Sequence, residues 1–358
     1  MPFLSLSFVD YRNIENASID LLSKEVFFKG DNGQGKTNLL EALYICSYGS
    51  SFRTKNDVEI IKKPHSAYSI KALYKDSHEI THSIVIKFEN GKKHILKNGK
   101  KITDRKELIN AIPCIVFCHE DLDFVTGEPE KRRFFLDQSI SLHNNIYVDS
   151  LRKYKKILRS RNIVLKEQNF DLLPVFTENL IQIGMEIRKK REDISLFFNR
   201  DLSSLYEEIS GISGLSLSYH SSWKKMNKDE IEVHLKAKEG IEKNLGTSVS
   251  GPHRDRIIFI KDGENFVLTA STGQKRLLSV LLRILQAKYI FEVNHKKPIL
   301  LMDDVLLELD PGKREKIMHL LPEYEQLFAT FLPGEPYEKY VKSKTKVYTI
   351  QKGHWDER

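Results

Sequence analysis

Three glycines followed directly by lysine and threonine mark the segment GDNGQGKTN, residues 30–38. Gly30, Gly35, Lys36 and Thr37 fit the phosphate-binding pattern G-x-x-x-x-G-K-[ST]. Glycines let the backbone curl so that its N–H groups converge on phosphate oxygens, and a following helix directs its positive end at the same point. We predict a nucleotide-binding loop in which Lys36 reaches the β and γ phosphates and Thr37 ligates Mg²⁺. Its residues are Gly30, Asp31, Asn32, Gly33, Gln34, Gly35, Lys36, Thr37 and Asn38.

Two carboxylates in PILLMDDVLLELD, residues 298–310, are candidates for the same site. The apolar run from Ile299 to Met302 is typical of a buried strand in a parallel sheet. A carboxylate at the end of such a strand is where Mg²⁺ beside the phosphates is held, so Asp303 is predicted as a metal ligand. Asp304 is predicted as the catalytic group, with Lys36, and would orient the attacking water or accept its proton. The pair is a weak signal alone and a strong one together with the loop at Gly30.

A second anion-binding turn is predicted in ASTGQKRLL, residues 270–278, where Ser271, Gly273 and Gln274 open a long helix. The serine could be no more than a helix N-cap. A hydroxyl and backbone N–H groups with a helix dipole behind them also suit a phosphate. Two phosphate-binding turns in one chain suggest a composite site, in which this turn covers the γ-phosphate held by another subunit.

These residues need strands and helices to position them. The segment EVFFK before the loop is of strand type, and TNLLEALYICS after it has helical spacing. Residues 1–24 are predicted to form an opening hairpin, and Asn-Gly pairs at 90–91 and 98–99 predict type I′ turns in a β-meander. Strands are predicted again in LSLSYHS, RIIFIK and NFVLTAS, after residue 210.

From about residue 128 the pattern changes to long helices, with Leu151, Tyr154 and Leu158 on one face. A second stripe comprises Leu180, Ile183, Ile187, Ile194 and Phe198. We predict an α/β fold in which residues 1–126 and 210–358 form the nucleotide-binding domain and residues 127–209 form an inserted helical arm.

Composition favours a protein with a sizeable core, and the surplus of basic residues indicates either a polyanionic partner or a solvated surface. The chain has 358 residues, 40% of them hydrophobic, and a net charge of +8. Residues 151–200 contain twelve Lys or Arg and six Asp or Glu, hence 12 − 6 = +6. The densest cluster is Lys153, Lys155, Lys156, Arg159 and Arg161, which either contacts DNA or is a solvated helix face. The turns of the meander carry Lys92, Lys93, Lys97, Lys100 and Lys101, which either contact a polyanion or protect edge strands.

The sequence has no run of about 18 apolar residues and no secretory signal, which predicts a cytoplasmic protein with no membrane partner. Its cysteines are three, an odd number without zinc-type spacing. Reduced thiols in the core are the simplest interpretation of Cys46, Cys114 and Cys118.

The order of GDNGQGKTN, ASTGQKR and MDDVLLELD resembles the ABC-type ATPase heads of the SMC-like group. The fuller resemblance is to the RecF family of bacterial DNA-repair ATPases. It extends to FVDYRN, GQGKTNLLEALY, SSFRT, FCHEDLDFVTGEPEKRRFFLD and SGPHRD, which run in family order across almost the whole chain.

The resemblance implies an ABC-type head with a helical arm, a homodimer formed on ATP, weak DNA-stimulated ATPase activity and Mg²⁺ as cofactor. It implies sequence-independent binding of gapped DNA or single-strand/double-strand junctions, with RecO and RecR as partners that together help RecA to load. By motif position, Ser271, Gly273 and Gln274 would be the signature that contacts ATP across the dimer, and Arg12 would lie near the nucleotide.

Two departures from the family pattern limit this transfer, whereas one pair of arginines keeps the pattern. Leu307 stands where family members commonly have a serine in the loop that crosses the dimer interface. No histidine follows the last core strand, unlike in transporter ATPases, and Thr330 is the nearest polar candidate. Arg132 and Arg133 keep a family pattern, although they could simply brace the arm.

Three other classes of protein fit less well. A transporter ATPase subunit would usually carry the missing histidine. A structural SMC clamp needs hundreds of heptad residues, which an insert of roughly 100 residues cannot supply. A small-molecule P-loop kinase has no use for a signature turn.

Overall fold

The computed structural model describes residues 2–224, 226–305 and 309–357. Its strands are β1 (Phe3–Val9), β2 (Ser18–Asp20), β3 (Glu25–Lys29), β4 (Tyr68–Lys75), β5 (Thr81–Glu89), β6 (Lys92–Lys97), β7 (Lys100–Lys101), β8 (Cys114–Phe117), β9 (Ser216–His220), β10 (Arg256–Lys261), β11 (Glu264–Asn265), β12 (Ile299–Met302), β13 (Gln326–Phe331), β14 (Lys346–Gln351) and β15 (His354–Glu357). Its α-helices are α1 (Lys36–Tyr48), α2 (Lys106–Ala111), α3 (Asp123–Thr126), α4 (Pro129–Ser141), α5 (Asn145–Lys166), α6 (Leu173–Ser210), α7 (Lys228–Leu245), α8 (Phe266–Thr269), α9 (Thr272–Asn294) and α10 (Pro311–Leu320). The predicted α/β class is confirmed.

An antiparallel sheet with the order β2-β1-β4-β5-β6-β7 contains the opening hairpin and the meander. Strands β1 and β2 pair antiparallel, as the alternation in residues 1–24 predicts. Asn90 and Gly91 both have positive φ, as do Asn98 and Gly99. Positive φ at both central residues is the mark of the type I′ turn, whose twist matches that of the flanking strands. The predicted meander is therefore confirmed.

A second sheet, with the order β15-β14-β3-β13-β12-β8, carries the predicted phosphate loop and the aspartate pair. Strands β14, β3, β13, β12 and β8 pair in parallel, and β15 is antiparallel to β14. Every residue of β8, β12 and β13 is buried, which explains the unbroken apolar run from Ile299 to Met302. Because parallel strands end at one edge, the segments after β3 and β12 meet there.

Helix α1 and both of these sheets contribute to one hydrophobic core. Leu39, Leu40 and Leu43 are fully buried in it, as the helical spacing after the loop predicts. Cys46, Cys114 and Cys118 are all buried, and none of the three forms a disulfide. Burial raises the pKa of the Cys46 thiol, which makes it a poor nucleophile.

The chain divides into two compact units, Met1–Glu120 with Gln286–Arg358, and Asp121–Leu285. The first contains both six-stranded sheets. The second contains the long helices α5 and α6 and a three-stranded sheet with the order β11-β10-β9. Residues 210–285, which the sequence assigned to the nucleotide-binding domain, thus lie with the helices. The amide side chain of Asn199 on α6 explains this locally, because it exchanges two 2.7 Å hydrogen bonds with the backbone of Leu217 on β9.

Helix α4 also braces the second unit. Arg132 donates a 3.0 Å hydrogen bond to the carbonyl oxygen of Ile257, and Arg133 donates a 2.8 Å bond to that of Asp255. The bracing interpretation of this arginine pair therefore has direct contacts behind it. The GPHRD segment, residues 251–255, also holds parts of this unit together. Its Asp255 accepts hydrogen bonds from Arg191 on α6 and from the Ser222 backbone N–H.

Two sequence-based expectations were wrong in this unit. NFVLTAS does not form a strand beyond Asn265, because the Asn265 side chain accepts from the Val267 N–H and starts the short helix α8. Arg161 does not lie on the exposed basic face of α5. It is 1% exposed, and its guanidinium donates to Glu242 at 2.6 Å and to Ser248 at 2.6 Å. Its neighbour Arg159 is exposed.

Across the described residues, no helix is both long enough and apolar enough to cross a membrane.

Candidate nucleotide-binding site

The predicted phosphate loop connects the end of β3 to the start of α1. Gly30 continues the sheet edge, since its N–H donates to the Phe331 carbonyl oxygen at 3.2 Å. A Cβ at Gly30 would lie 2.4 Å from the Ile350 carbonyl oxygen, so a larger residue does not fit. Gly35 precedes α1 with a φ of 117°, a conformation that side chains other than glycine rarely adopt. Glycine at these two positions is therefore required by the backbone itself.

Lys36 lies inside the curve of this loop and is 4% exposed. Its ammonium donates hydrogen bonds to the carbonyl oxygens of Gly30, at 2.7 Å, and of Asp31, at 3.1 Å. Asp31, Asn32 and Gly33 are exposed at the turn of the loop. A charge held against the loop's own backbone is available to an anion that the loop encloses.

Thr37 and Asp303 meet across the sheet edge, although 266 residues separate them. The Thr37 hydroxyl donates a 2.8 Å hydrogen bond to Asp303 Oδ1. Burial, together with the neighbouring charge of Asp304, raises the pKa of Asp303 to about 6, while the Thr37 bond acts in the opposite direction. Two hard oxygen donors in a buried setting suit a divalent cation such as Mg²⁺.

Asp304, the next residue, follows β12 in the left-handed region with a φ of 50°. Its backbone N–H donates to the Thr330 hydroxyl at 2.8 Å, and that hydroxyl donates to Asp304 Oδ1 at 2.7 Å. The polar residue proposed for the missing histidine position thus contacts the predicted catalytic carboxylate. Aspartate tolerates the left-handed conformation better than most residues do.

Arg12 forms a bidentate ion pair with Glu41 on α1, at 2.9 and 2.7 Å. Its remaining nitrogen donates to the Glu59 carbonyl oxygen at 2.7 Å. Glu41 also accepts a hydrogen bond from Ser51. The guanidinium therefore braces the helix that follows the loop, and its predicted contact with a nucleotide stays a prediction.

Contacts that the sequence does not reveal hold the back of the loop. The carbonyl oxygen of Gln34 accepts from the Gly353 N–H at 2.9 Å, and its side chain accepts from the Lys352 N–H at 2.6 Å. Asn13 donates to the Gly33 carbonyl oxygen at 3.2 Å and accepts from Asn38 at 2.7 Å. The turn between β14 and β15 lies far away in sequence, and no motif marks it.

The predicted signature turn belongs to the second unit. The Ser271 N–H donates to Gln274 Oε1 at 2.7 Å, and the Gln274 N–H donates to Ser271 Oγ at 3.3 Å. This reciprocal pair is a capping box, so the serine is at least an N-cap. Gly273 is exposed, and a Cβ there would meet no atom within 4 Å.

The structure thus brings Lys36, Thr37, Asp303 and Asp304 to one edge of a sheet, whereas the signature residues lie in the other compact unit. Leu307 lies outside the described residues. Among the described residues, no cluster of three or more His, Cys, Asp and Glu side chains could hold a metal ion.

Comparison with known proteins gives matches along nearly the whole chain. The family model described as RecF/RecN/SMC N terminal domain matches residues 4–355. The DNA replication and repair protein RecF of Treponema pallidum (strain Nichols) is 45% identical over 347 residues, which cover 96% of this chain and 98% of the relative. The protein of the same name from Bacillus subtilis (strain 168) is 30% identical over 371 residues, covering 99% of each.

Solved structures agree. The structure described as the recombination mediator protein RecF-ATP in the RecFOR pathway matches with a TM-score of 0.89 at 26% identity, covering 99% of this chain and 97% of that one. An SMC head bound to the C-terminal winged-helix domain of ScpA matches with a TM-score of 0.62 at 14% identity, covering 100% and 97%, and it shares the fold alone. The predicted ABC-type head fold is confirmed. By sequence and by structure, this chain belongs to the RecF family within the RecF/RecN/SMC N terminal domain group.

Proposed function

We propose that this chain is an ATP-dependent DNA-binding protein of recombinational repair, a weak ATPase that dimerises on ATP. The observation that carries the nucleotide part is the 2.8 Å contact between Thr37 and Asp303 beside the lysine of a phosphate loop. Loop, hydroxyl and strand-end carboxylate are the parts that a P-loop ATPase requires. The similar solved structures are described as RecF with ATP, which supports ATP as the nucleotide.

Thr37 and Asp303 would hold Mg²⁺. Magnesium is usually held by one or two protein oxygens and by substrate phosphates, so this two-residue donor set fits the ion. Bound there, Mg²⁺ would supply charge neutralisation at the β and γ phosphates.

The other residues of the first unit receive separate roles. Lys36 would exchange its backbone acceptors for the β and γ phosphates, and the loop N–H groups would converge on the same oxygens. Asp304 would orient the attacking water or accept its proton, and Thr330 would hold that carboxylate in place. Arg12 would act mainly through Glu41, close to the first turn of α1.

Dimerisation would complete the site. In the proposed dimer, Ser271, Gly273 and Gln274 of one subunit cover the γ-phosphate bound by the other. The capping box is compatible with this role, because Ser271 Oγ accepts within the turn while its hydroxyl hydrogen stays available to a phosphate oxygen. ATP would then bind the dimer better than the monomer and shift the population towards it.

DNA is the proposed partner because of charge. Lys153, Lys155, Lys156 and Arg159 of α5 are all exposed. Contacts of this kind recognise the phosphate backbone without regard to sequence, and the affinity falls steeply with salt. We propose gapped DNA or a single-strand/double-strand junction as the substrate.

The partner proteins follow from the relatives. The similar solved structures are described as belonging to the RecFOR pathway, which supports RecO and RecR as partners. Help in loading RecA stays a prediction. The cytoplasmic location stays a prediction.

The experiment that tests this proposal measures binding to fluorescently labelled gapped duplex DNA at fixed moderate salt. The wild-type protein is compared in the presence of a non-hydrolysable ATP analogue and of ADP, each with Mg²⁺. We expect at least tenfold tighter binding with the analogue. Lys36→Ala should remove this difference, because it weakens triphosphate binding. Ser271→Arg should retain nucleotide binding by the monomer and lose both dimerisation and the DNA response.

Equal affinity for gapped DNA in the two nucleotide states would overturn the ATP-gated clamp. Normal dimerisation of Ser271→Arg would overturn the composite site while leaving nucleotide binding intact.

A further inference from the structure

Tyr206 connects the long helix α6 to the turn that opens α9. Its side chain is 0% exposed, and its hydroxyl donates a 3.1 Å hydrogen bond to the carbonyl oxygen of Gln274. Burial raises the pKa of the phenol, so the group stays protonated and remains a donor. Gln274 is one of the three residues assigned above to the signature.

The ring of Tyr206 makes a second contact with the approach to the same turn. It packs edge-on against Phe266, with ring centroids 5.6 Å apart and an interplanar angle of 83°. Phe266 starts α8, and its carbonyl oxygen accepts a hydrogen bond from the N–H of Ala270. Ala270 directly precedes Ser271. One side chain of α6 therefore touches the segments on both sides of the signature serine.

Helix α6 is itself fixed within the second unit. Asn199, seven residues before Tyr206, holds the backbone of Leu217 on β9. Arg191 donates two 2.8 Å hydrogen bonds to the carboxylate of Asp137 on α4. Helix α6 has 38 residues and is therefore roughly 57 Å long at 1.5 Å per residue. A shift of this helix would move Tyr206, and with it the contact to the signature turn.

We propose that Tyr206 is a positioning residue for the signature turn. Through this residue, nucleotide-dependent dimerisation would depend on the position of helix α6. This inference rests on the proposed function of Ser271, Gly273 and Gln274. Tyr206 would touch neither ATP nor the second subunit. It would act by holding the first turn of α9 in the orientation in which backbone N–H groups and the Gln274 side chain meet a phosphate.

The test compares Tyr206→Phe with Tyr154→Phe in the full-length protein. Both variants keep a buried ring and lose one hydroxyl, and both lie in the second unit. The Tyr154 hydroxyl lies 2.8 Å from His253 Nδ1, so this control leaves both the signature turn and the Asp137–Arg191 pair unaltered. For each variant, sedimentation gives the dimer dissociation constant with a non-hydrolysable ATP analogue and Mg²⁺. Fluorescent nucleotide titration of dilute protein gives the monomer affinity, and thermal unfolding gives the stability.

We expect Tyr206→Phe to raise the dimer dissociation constant threefold to tenfold and leave the monomer nucleotide affinity unchanged. Tyr154→Phe should lower the unfolding temperature by a similar amount or more, yet leave the dimer constant unchanged. Equal effects of both variants on dimerisation, or no effect of Tyr206→Phe, would overturn the inference. Failure of the wild-type protein to dimerise with the analogue would instead overturn the proposed function, so the two failures are distinguishable.

Discussion

The hydroxyl of Thr330 on β13 donates a hydrogen bond to Asp304 Oδ1 at 2.7 Å while accepting one from the Asp304 backbone N–H at 2.8 Å. Two neighbouring parallel strands are thereby joined at their carboxyl ends. The carboxylate is fixed on a residue with a positive φ, one position after the proposed metal ligand. In place of an imidazole, a short β-branched side chain holds the acidic group.

Thr330→Val tests this arrangement. The substitution keeps the shape of the side chain and removes the hydroxyl, so Asp304 loses two hydrogen bonds, each of about 0.5 to 1.5 kcal/mol. We expect the turnover rate of ATP to fall up to about tenfold, with little change in ATP affinity and with near-normal activity in Thr330→Ser. Phosphate release and nucleotide titration measure the two quantities. An unchanged turnover rate in the valine variant would show that the contact does not serve hydrolysis.

Gly353→Ala tests the support behind the phosphate loop. Gly353 has a φ of 84°, and an added Cβ would lie 1.9 Å from the Asn13 carbonyl oxygen. Gly334 also has a φ of 84° but no atom within 4 Å of such a Cβ. Gly334→Ala should therefore cost only the backbone strain, of about 1 kcal/mol, whereas Gly353→Ala should cost more and also weaken nucleotide binding. Denaturant unfolding and fluorescent nucleotide titration check this, and equal effects would contradict it.

His253 should make the stability depend on pH. Burial, aided by the charges of Arg254, Arg133 and Arg161, lowers the pKa of His253 to about 4 from its usual 6.5. Between these values the unfolded chain binds a proton that the native chain does not, so stability is lost as the pH falls from about 6.5 to about 4.

His253→Gln removes the imidazole that binds this proton in the unfolded chain. The difference in unfolding free energy between the wild type and the variant should fall by up to about 3 kcal/mol across that pH range. Urea unfolding at several pH values measures the difference, and parallel curves for the two proteins would refute the shift.

Substitutions of Arg161 and Arg159 should differ in their effect on stability, because only the first of these two arginines of α5 is buried. Arg161→Ala leaves Glu242 buried without its ion pair and should cost about 3 to 5 kcal/mol. Arg159→Ala, two residues earlier on an exposed position, should change the stability by no more than about 0.5 kcal/mol. Urea unfolding of both variants is the measurement. A small effect at Arg161 would mean that the pair is open to water in solution.

Local pattern was sufficient for the site in the first unit. Three features of this unit depend only on residues that are neighbours in the chain. The loop spacing predicts the phosphate loop, the apolar run before Asp303 predicts β12, and the two Asn-Gly turns predict the meander. The sheet order of parallel strands then requires their ends to meet, which is why Thr37 and Asp303 could be assigned to one site.

Only the tertiary structure decided which polar side chains serve the site and which serve the core. Arg161 and Arg159 are alike in sequence context, yet the packing of α5 and α7 buries one of them against Glu242. Gln34 and Gly353 lie 319 positions apart, and Tyr206 and Gln274 lie 68 apart, without any motif to join them. The physical reason is that a periodic pattern fixes the face of an element, whereas the partner on that face depends on how distant elements pack.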